Sequence, residues 1–343
     1  MDLSPDTLKA VYDTVFYITL HAGKAVTAAL QRDSFIYWPF LVSSVIIAAL
    51  AWRWTVYARS NPQHRSWKQF FRDYFGAHIW WHRSARADYV LYLANALLLP
   101  LLFGFLLMSE KQVAGWLETA IGGATSPTDT TSIPVRVLFT LLFFVAYDFG
   151  RFVAHCLLHD VPLLWEFHRV HHSAQVLTPM TSFRAHPIDL LVMAWVPALT
   201  TGVVVWTFNR FAGTSVNFFS FLGVHALMWG FNLIGNLRHS PVWLSYGPAV
   251  GRWLISPAHH QLHHSYEPRH YGCNRGFELA IWDRLWGTLY VPPIQPETFR
   301  MGLGDDTDGR YHTLARMYFW PFAGAARRLL KKQGSSVGPT PTN

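Results

Sequence analysis

The chain has 343 residues, of which 51% are apolar and only 14% charged, with a formal net charge of +8. Soluble domains carry roughly 25% charged residues, so this composition excludes an ordinary soluble domain and points to an integral membrane protein. The basic residues flank apolar segments instead of forming one stripe, which argues against a nucleic-acid partner. The two cysteines, Cys156 and Cys273, read as reduced thiols.

In chain order, residues 1–34 open with acids rather than the positive region of a cleavable signal. Lys9, Asp13, His21 and Lys24 interrupt the apolar residues from Thr7 to Leu30, which predicts an amphipathic interfacial helix. Four uncharged stretches then approach the ~20 residues that a spanning helix needs: Phe35 to Trp52, Tyr89 to Ser109, Leu190 to Phe208, and Phe211 to about Leu237. A fifth runs from Ile133 to about Ala154, with Arg136 placed to snorkel at one end and Asp148 and Arg151 near the other.

Loop charge sets the orientation. Residues 53–87 hold Arg53, Arg59, Arg65, Lys68, Arg72, Arg83 and Arg86 against the single acid Asp73. The positive-inside rule makes that loop cytoplasmic, and alternation puts residues 155–189 and everything after Leu237 on the same side. The run around Asp306 reads as a turn without the downstream acid of a calcium loop, and residues 333–343 read as a flexible tail.

The fold expected is therefore an all-α integral membrane protein of about five transmembrane helices with a cytoplasmic helical cap. Its parts are the amphipathic helix (1–34), an N-terminal transmembrane region (35–132), a catalytic domain (133–295), a cytoplasmic C-terminal region (296–332) and the tail.

The cap would carry the chemistry. "HCLLH" places His155 and His159 four apart, "HRVHH" supplies His168, His171 and His172, and "HQLHH" supplies His260, His263 and His264. On a helix such positions share a face, so each group can aim its imidazoles at one point. With 18 histidines in the chain, one HxxHH is expected by composition roughly 0.05 times, and two far less often. Imidazole-rich, thiolate-free sites suit iron, zinc, copper or nickel, and eight or nine ligands exceed the needs of one ion. A structural zinc site would use four ligands and leave half the histidines unexplained.

At these residues the sequence resembles the fatty acid hydroxylase / sterol desaturase superfamily of membrane oxygenases, over roughly Phe143 to Pro292. The family order is HxxxH, HxxHH, a lone histidine after the last span, then HxxHH; here the lone histidine is His239 in "NLRHS". "FRAHPID" around His186 and "YGCNRGFELAIWDRLWGTLYVP" also look like family segments, closest to bacterial members and the alkylglycerol monooxygenase branch.

The resemblance implies a di-iron centre (zinc can substitute in purified protein), O2 as co-substrate, and oxidation of a C–H bond in a membrane lipid: fatty acyl, sterol-like or ether lipid. It also implies electrons from a ferredoxin or a b-type cytochrome with its reductase, steered by the basic cytoplasmic surface. The expected location is a bacterial inner membrane, or else an endoplasmic reticulum. Hydroxylation leads, a desaturase on the same site is the alternative, and a non-catalytic metal-binding or transport protein is the reading from another class. Transport is disfavoured because the spans are nearly free of ionisable groups.

The ligands expected are His155, His159, His168, His171, His172, His239, His260, His263 and His264, with His186 a further candidate. His259 widens the arc of its helix and reads as a neighbour or an exposed residue. His225, inside a predicted span, reads as packing or as substrate channel. Asp148, two turns before His155, is expected to accept an imidazole N–H, and Glu166, Asp189, Glu278 and Asp283 are weaker candidates of the same kind. Asn274 is a candidate for contact with substrate or metal-bound water.

Overall fold

A computed structural model of the protein describes residues 5–53, 66–123, 132–212, 216–305 and 307–334. Arg59, Arg65, Asp306 and the tail from residue 335 lie outside the described residues. The chain is mostly helical. Its long elements are α1 (Pro5–Val26), α2 (Trp38–Ala51), α3 (Arg83–Phe103), α4 (Glu110–Ile121), α5 (Ile133–Asp160), α6 (Pro162–His172), α7 (Pro187–Ala212), α8 (Ala226–Gly235), α9 (Pro257–His263) and α10 (Leu314–Gly334).

Among the described residues, α5 and α7 are the helices long and apolar enough to cross a membrane. At 28 and 26 residues they measure ~42 and ~39 Å, against a hydrocarbon core of ~30 Å. They lie against each other along their length. Gly150 makes this possible: a Cβ there would come within 2.4 Å of Thr200 Oγ1 and 2.6 Å of Pro197 Cα. The Thr200 hydroxyl donates to the Ala146 carbonyl at 2.8 Å and joins the pair. On its outer face α5 exposes Val137, Leu138, Leu141, Leu142 and Val145, while Phe144, Asp148, Phe152 and His155 are buried. An apolar outward stripe over a partly polar inner one is the pattern of a helix solvated by lipid.

Three of the expected spans differ in the structure. Tyr89 to Ser109 falls in α3, which ends at Phe103 and is not among the helices long and apolar enough to cross. Phe35 to Trp52 yields the 14-residue α2, ~21 Å long and short for a crossing. Its partner is α8, through the Ser43 hydroxyl on the Leu233 carbonyl at 2.7 Å and the Phe40–Trp229 edge contact.

Phe211 to Leu237 is no single helix at all. The chain leaves α7 at Ala212 and forms a small hairpin with Ser220 opposite His225 and Phe221 opposite Val224. Leu222 and Gly223 turn with positive φ (53° and 86°). Helix then resumes for only ten residues in α8. Backbone groups of the non-helical stretch find partners on α5: the Phe219 N–H donates to Thr140 Oγ1 at 2.9 Å, and Arg136 Nε–H donates to the Asn217 carbonyl at 3.2 Å. Protein groups thus satisfy this irregular backbone.

Candidate metal centre

Four short pieces of chain converge beyond the end of α5. α5 itself carries His155 and His159 in its last two turns. Pro162 opens α6, whose last two turns carry His168, His171 and His172. α8 runs into a 3-10 turn, Asn236–His239, which ends on His239. Ser256 caps α9, which presents His260 and His263 and ends at His264. Proline at the first turn of α6 and α9 costs no helical hydrogen bond and fixes the turn that re-aims the chain.

The imidazoles fall into two groups. His155, His159, His168, His172 and His263 form one, and His171, His239, His260 and His264 the other; within each group the candidate ligand atoms all lie within 4.8 Å of one another. In the first, His155 Nε2 is 3.2 Å from His168 Nε2 and 3.2 Å from His159 Nε2, which is 3.1 Å from His263 Nε2. In the second, His260 Nε2 is 2.9 Å from His239 Nε2, and His264 Nε2 is 3.3 and 3.2 Å from those of His239 and His260. Eight of the nine are buried and His159 is partly so.

Two of the rings in the first group are fixed from behind. His155 Nδ1 lies 2.8 Å from the Arg275 carbonyl and His263 Nδ1 2.7 Å from the Cys273 carbonyl. His168 Nδ1 lies 2.7 Å from Asp189 Oδ2. A carbonyl can only accept, so the proton of His155 and of His263 sits on Nδ1 and each of these neutral rings turns a bare Nε2 lone pair inward. Bare nitrogen lone pairs gathered with other imidazoles about one point are the arrangement that binds a cation. A metal–imidazole distance of about 2.0–2.1 Å puts adjacent ligand nitrogens roughly 2.9 to 3.4 Å apart, the range observed here. His172 Nε2 in addition is buried with no hydrogen-bond partner among the described residues. The residues fit a metal in each group.

Burial reinforces this. It pushes His171 and His263 down to about 3 and holds His172, His239, His260 and His264 well below the usual histidine value, with neighbouring imidazoles adding to the effect. Neutral imidazole is the ligating form.

The groups open onto two cavities. The larger, about 560 Å³, meets His155, His168, His171, His239 and His260, and extends between α5, α7 and α8 past Phe143, Met193 and Met228. The smaller, about 350 Å³, reaches His159, His172 and His263 from the opposite side, beside Trp165, Tyr271 and Arg275. An apolar approach on one side and a more polar one on the other suit a centre that takes an apolar reactant and a water-borne one.

Residues 140–288 match the fatty acid hydroxylase family. Over that stretch the chain resembles a fatty acid hydroxylase domain. Among curated proteins it is similar to the ornithine lipid hydroxylase of Rhizobium tropici (30% identical over 162 residues, 46% of this chain and 44% of the relative). It is also similar to the alkylglycerol monooxygenase of Xenopus tropicalis (28% over 153 residues, 44% and 30%) and to a Delta(7)-sterol 5(6)-desaturase of Gibberella zeae (28% over 153 residues, 45% and 42%). The matches thus span less than half the length of these relatives. No solved structure matches the chain.

Within the matched region the acid beside an imidazole is Asp189, at the start of α7 and one of the weaker candidates, and not Asp148. The Asp148 carboxylate accepts from the Glu278 N–H (2.9 Å), the Leu279 N–H (3.1 Å) and Trp282 Nε1–H (2.9 Å), and so ties the closing segment to α5. Asn274 likewise faces neither group. At φ 55° it bridges the His259 carbonyl (3.2 Å) and the Tyr290 N–H (2.8 Å). Asp283 accepts from the N–H groups of Arg275 and Gly276, both at 2.7 Å. Together these two residues fix the loop whose carbonyls hold His155 and His263.

Glu278 pairs with Arg238, and Glu166 pairs with Arg328 of α10. His186 stands outside both groups: its Nε2 meets the Tyr318 carbonyl at 3.0 Å and its Nδ1 accepts from the Ile188 N–H at 3.0 Å. His259 is fully buried rather than exposed, and its Nδ1 accepts from the Ser256 N–H at 3.0 Å in the helix cap. His225 closes the hairpin.

Sequence reasoning missed Arg184 of "FRAHPID". Fully buried, its guanidinium pairs with the equally buried Asp88 at 2.7 Å and donates to the Val170 carbonyl (2.8 Å), Ser173 Oγ (2.8 Å) and the Tyr311 carbonyl (3.0 Å). Its own carbonyl lies 3.2 Å from His171 Nδ1. It clamps the histidine-bearing end of α6 onto α3. A lone arginine between two apolar stretches was the available signal.

Proposed function

We propose that the protein is a multi-pass membrane oxidoreductase that holds two iron ions in its two histidine groups and hydroxylates a C–H bond of a bilayer lipid with O2. The observation that carries this reading is the convergence of buried imidazole nitrogens in two adjacent groups, both opening onto one apolar cavity. Bound iron would supply O2 activation and the oxidation of the C–H bond. The chain's own residues do the rest. The Arg275 and Cys273 carbonyls and the Asp189 carboxylate fix imidazole tautomers and orientation. Phe143, Met193 and Met228 bind and align the apolar part of the substrate and keep water from it.

His155, His168, His171, His239 and His260 would border the reacting carbon from the side of the lipid. Electrons would come from a ferredoxin or a b-type cytochrome on the face of the smaller cavity. The basic loops flanking the spans favour a cytoplasmic position for that face. Hydroxylation rather than desaturation is the reading chosen, since two of the three relatives named above are a hydroxylase and a monooxygenase.

The test is a product assay. Iron-loaded protein in lipid nanodiscs, given O2 and reduced ferredoxin, should yield a lipid heavier by one oxygen atom, and the His263→Ala/His264→Ala variant should not. A product lighter by two hydrogens would replace the hydroxylase with a desaturase. Absence of any oxidised lipid across ornithine lipids, alkylglycerols and sterols would overturn the reading.

A further inference from the structure

The larger cavity has a polar feature at the end remote from the histidine groups, and the proposed chemistry leaves it unused. His225 lines that cavity and is 6% exposed. Its ring sits among Phe143, Phe144 and Phe218, with centroids 5.8, 6.2 and 4.8 Å away. Its Nε2 lies 3.1 Å from the Thr140 carbonyl of α5, which can only accept, so the proton sits on Nε2 and Nδ1 is a lone-pair acceptor. That Nδ1 is buried and has no partner among the described residues. A buried acceptor without a donor is rare and costly, and a phenylalanine would fill the same aromatic nest without the cost.

The position gives the feature meaning. Thr140 and His155 are fifteen residues apart on α5, about 22 Å along the helix. Phe143, Tyr147, Arg151 and His155 follow one another at intervals of four along the cavity wall. A molecule reaching from the histidine groups to His225 would pass Arg151 and Tyr147 and then the apolar side chains of Phe143, Met193 and Met228 before it met the unsatisfied Nδ1.

We propose that His225 recognises the far end of the substrate: its Nδ1 accepts a hydrogen bond from a hydroxyl on the end of the lipid remote from the carbon held at the histidine groups. The site then selects amphiphiles that carry a hydroxyl donor about 20 Å from the oxidised carbon over chains that end in a methyl group. This rests on the larger cavity being the lipid site of the proposed oxidoreductase.

The test separates donor from acceptor without requiring turnover. Zinc-loaded full-length protein in detergent would be titrated with 1-hexadecanol and with its methyl ether, each displacing a fluorescent acyl probe. The alcohol should bind about tenfold more tightly to the wild type. His225→Phe should bring the two to parity, and His225→Gln, which keeps an acceptor, should retain part of the preference. Zinc content should be the same in all three proteins. Equal binding of both probes by the wild type would overturn the proposal. A preference that survives in His225→Phe would do the same, by placing the hydroxyl elsewhere. Because only binding is read, a failure of oxidation chemistry in the product assay would be seen separately.

Discussion

The two histidine groups are built from the same residue type and stand side by side, yet their supports differ. The five-membered group draws on α5, α6 and α9. Three of its rings are held from behind by acceptors that cannot donate: the Asp189 carboxylate and the carbonyls of Arg275 and Cys273. It also touches both cavities. The four-membered group meets only the larger one, and its outer contacts are fewer: the Arg184 carbonyl behind His171 and the Ser182 hydroxyl 2.9 Å from His239 Nδ1. His264 Nδ1 has no partner among the described residues. A ring fixed by a charged acceptor is a more basic ligand in a more rigid position. The first group should therefore hold its metal more tightly, and the second should be the one that yields.

The largest effect should erase the contrast. Asp88→Ala leaves the Arg184 guanidinium buried and unpaired, and Arg184 serves both groups through α6. We expect a loss of about 3–5 kcal/mol of stability, read as a lower midpoint of thermal unfolding in detergent, with metal lost from both groups together.

Asp189→Asn should sharpen the contrast from the other side. It removes the charged acceptor behind His168 and should cost the five-membered group about 10–100-fold in metal affinity. Competition with a chromophoric chelator would show one weakened site and one unchanged. Ser182→Ala should be smaller, roughly fivefold, and confined to the four-membered group.

Acid should act on both groups more gently. His171 and His263 sit near 3 when folded against an ordinary 6.5. The unfolded chain thus binds protons that the folded chain refuses. Stability from this source is complete above pH ~6.5 and is lost as pH falls from there toward ~3. Unfolding midpoints measured between pH 7.5 and 5 should fall only across the lower part of that range.

Much of this was legible before any coordinates. The i, i+3, i+4 spacing of "HRVHH" and "HQLHH" already put each triple on one face, because the helix period is a local property. Exclusion of His259 followed from the same arc, although its burial did not. What failed was whatever depended on contacts distant in sequence. Asp148 shares a face with His155 in sequence, but its carboxylate is claimed by backbone 130 residues away. Asp189, twenty-one residues beyond His168 and ranked below Asp148 as a candidate, is the acid that reaches an imidazole. Backbone carbonyls as imidazole acceptors have no side-chain signature at all. The run from Phe211 to Leu237 is uncharged and so resembles a span, yet its glycines, Asn217 and Ser220 were the turn signals that composition averaged away.

The central claim is that the two groups hold two separate metals. Iron would be measured per chain by elemental analysis in the wild type, in His155→Ala/His159→Ala and in His260→Ala/His264→Ala, each purified from iron-supplemented cells. The account predicts about two irons in the wild type and about one in each variant, because the two groups share no ring. A single iron in the wild type, or both irons lost whichever group is disabled while the protein stays folded, would contradict it.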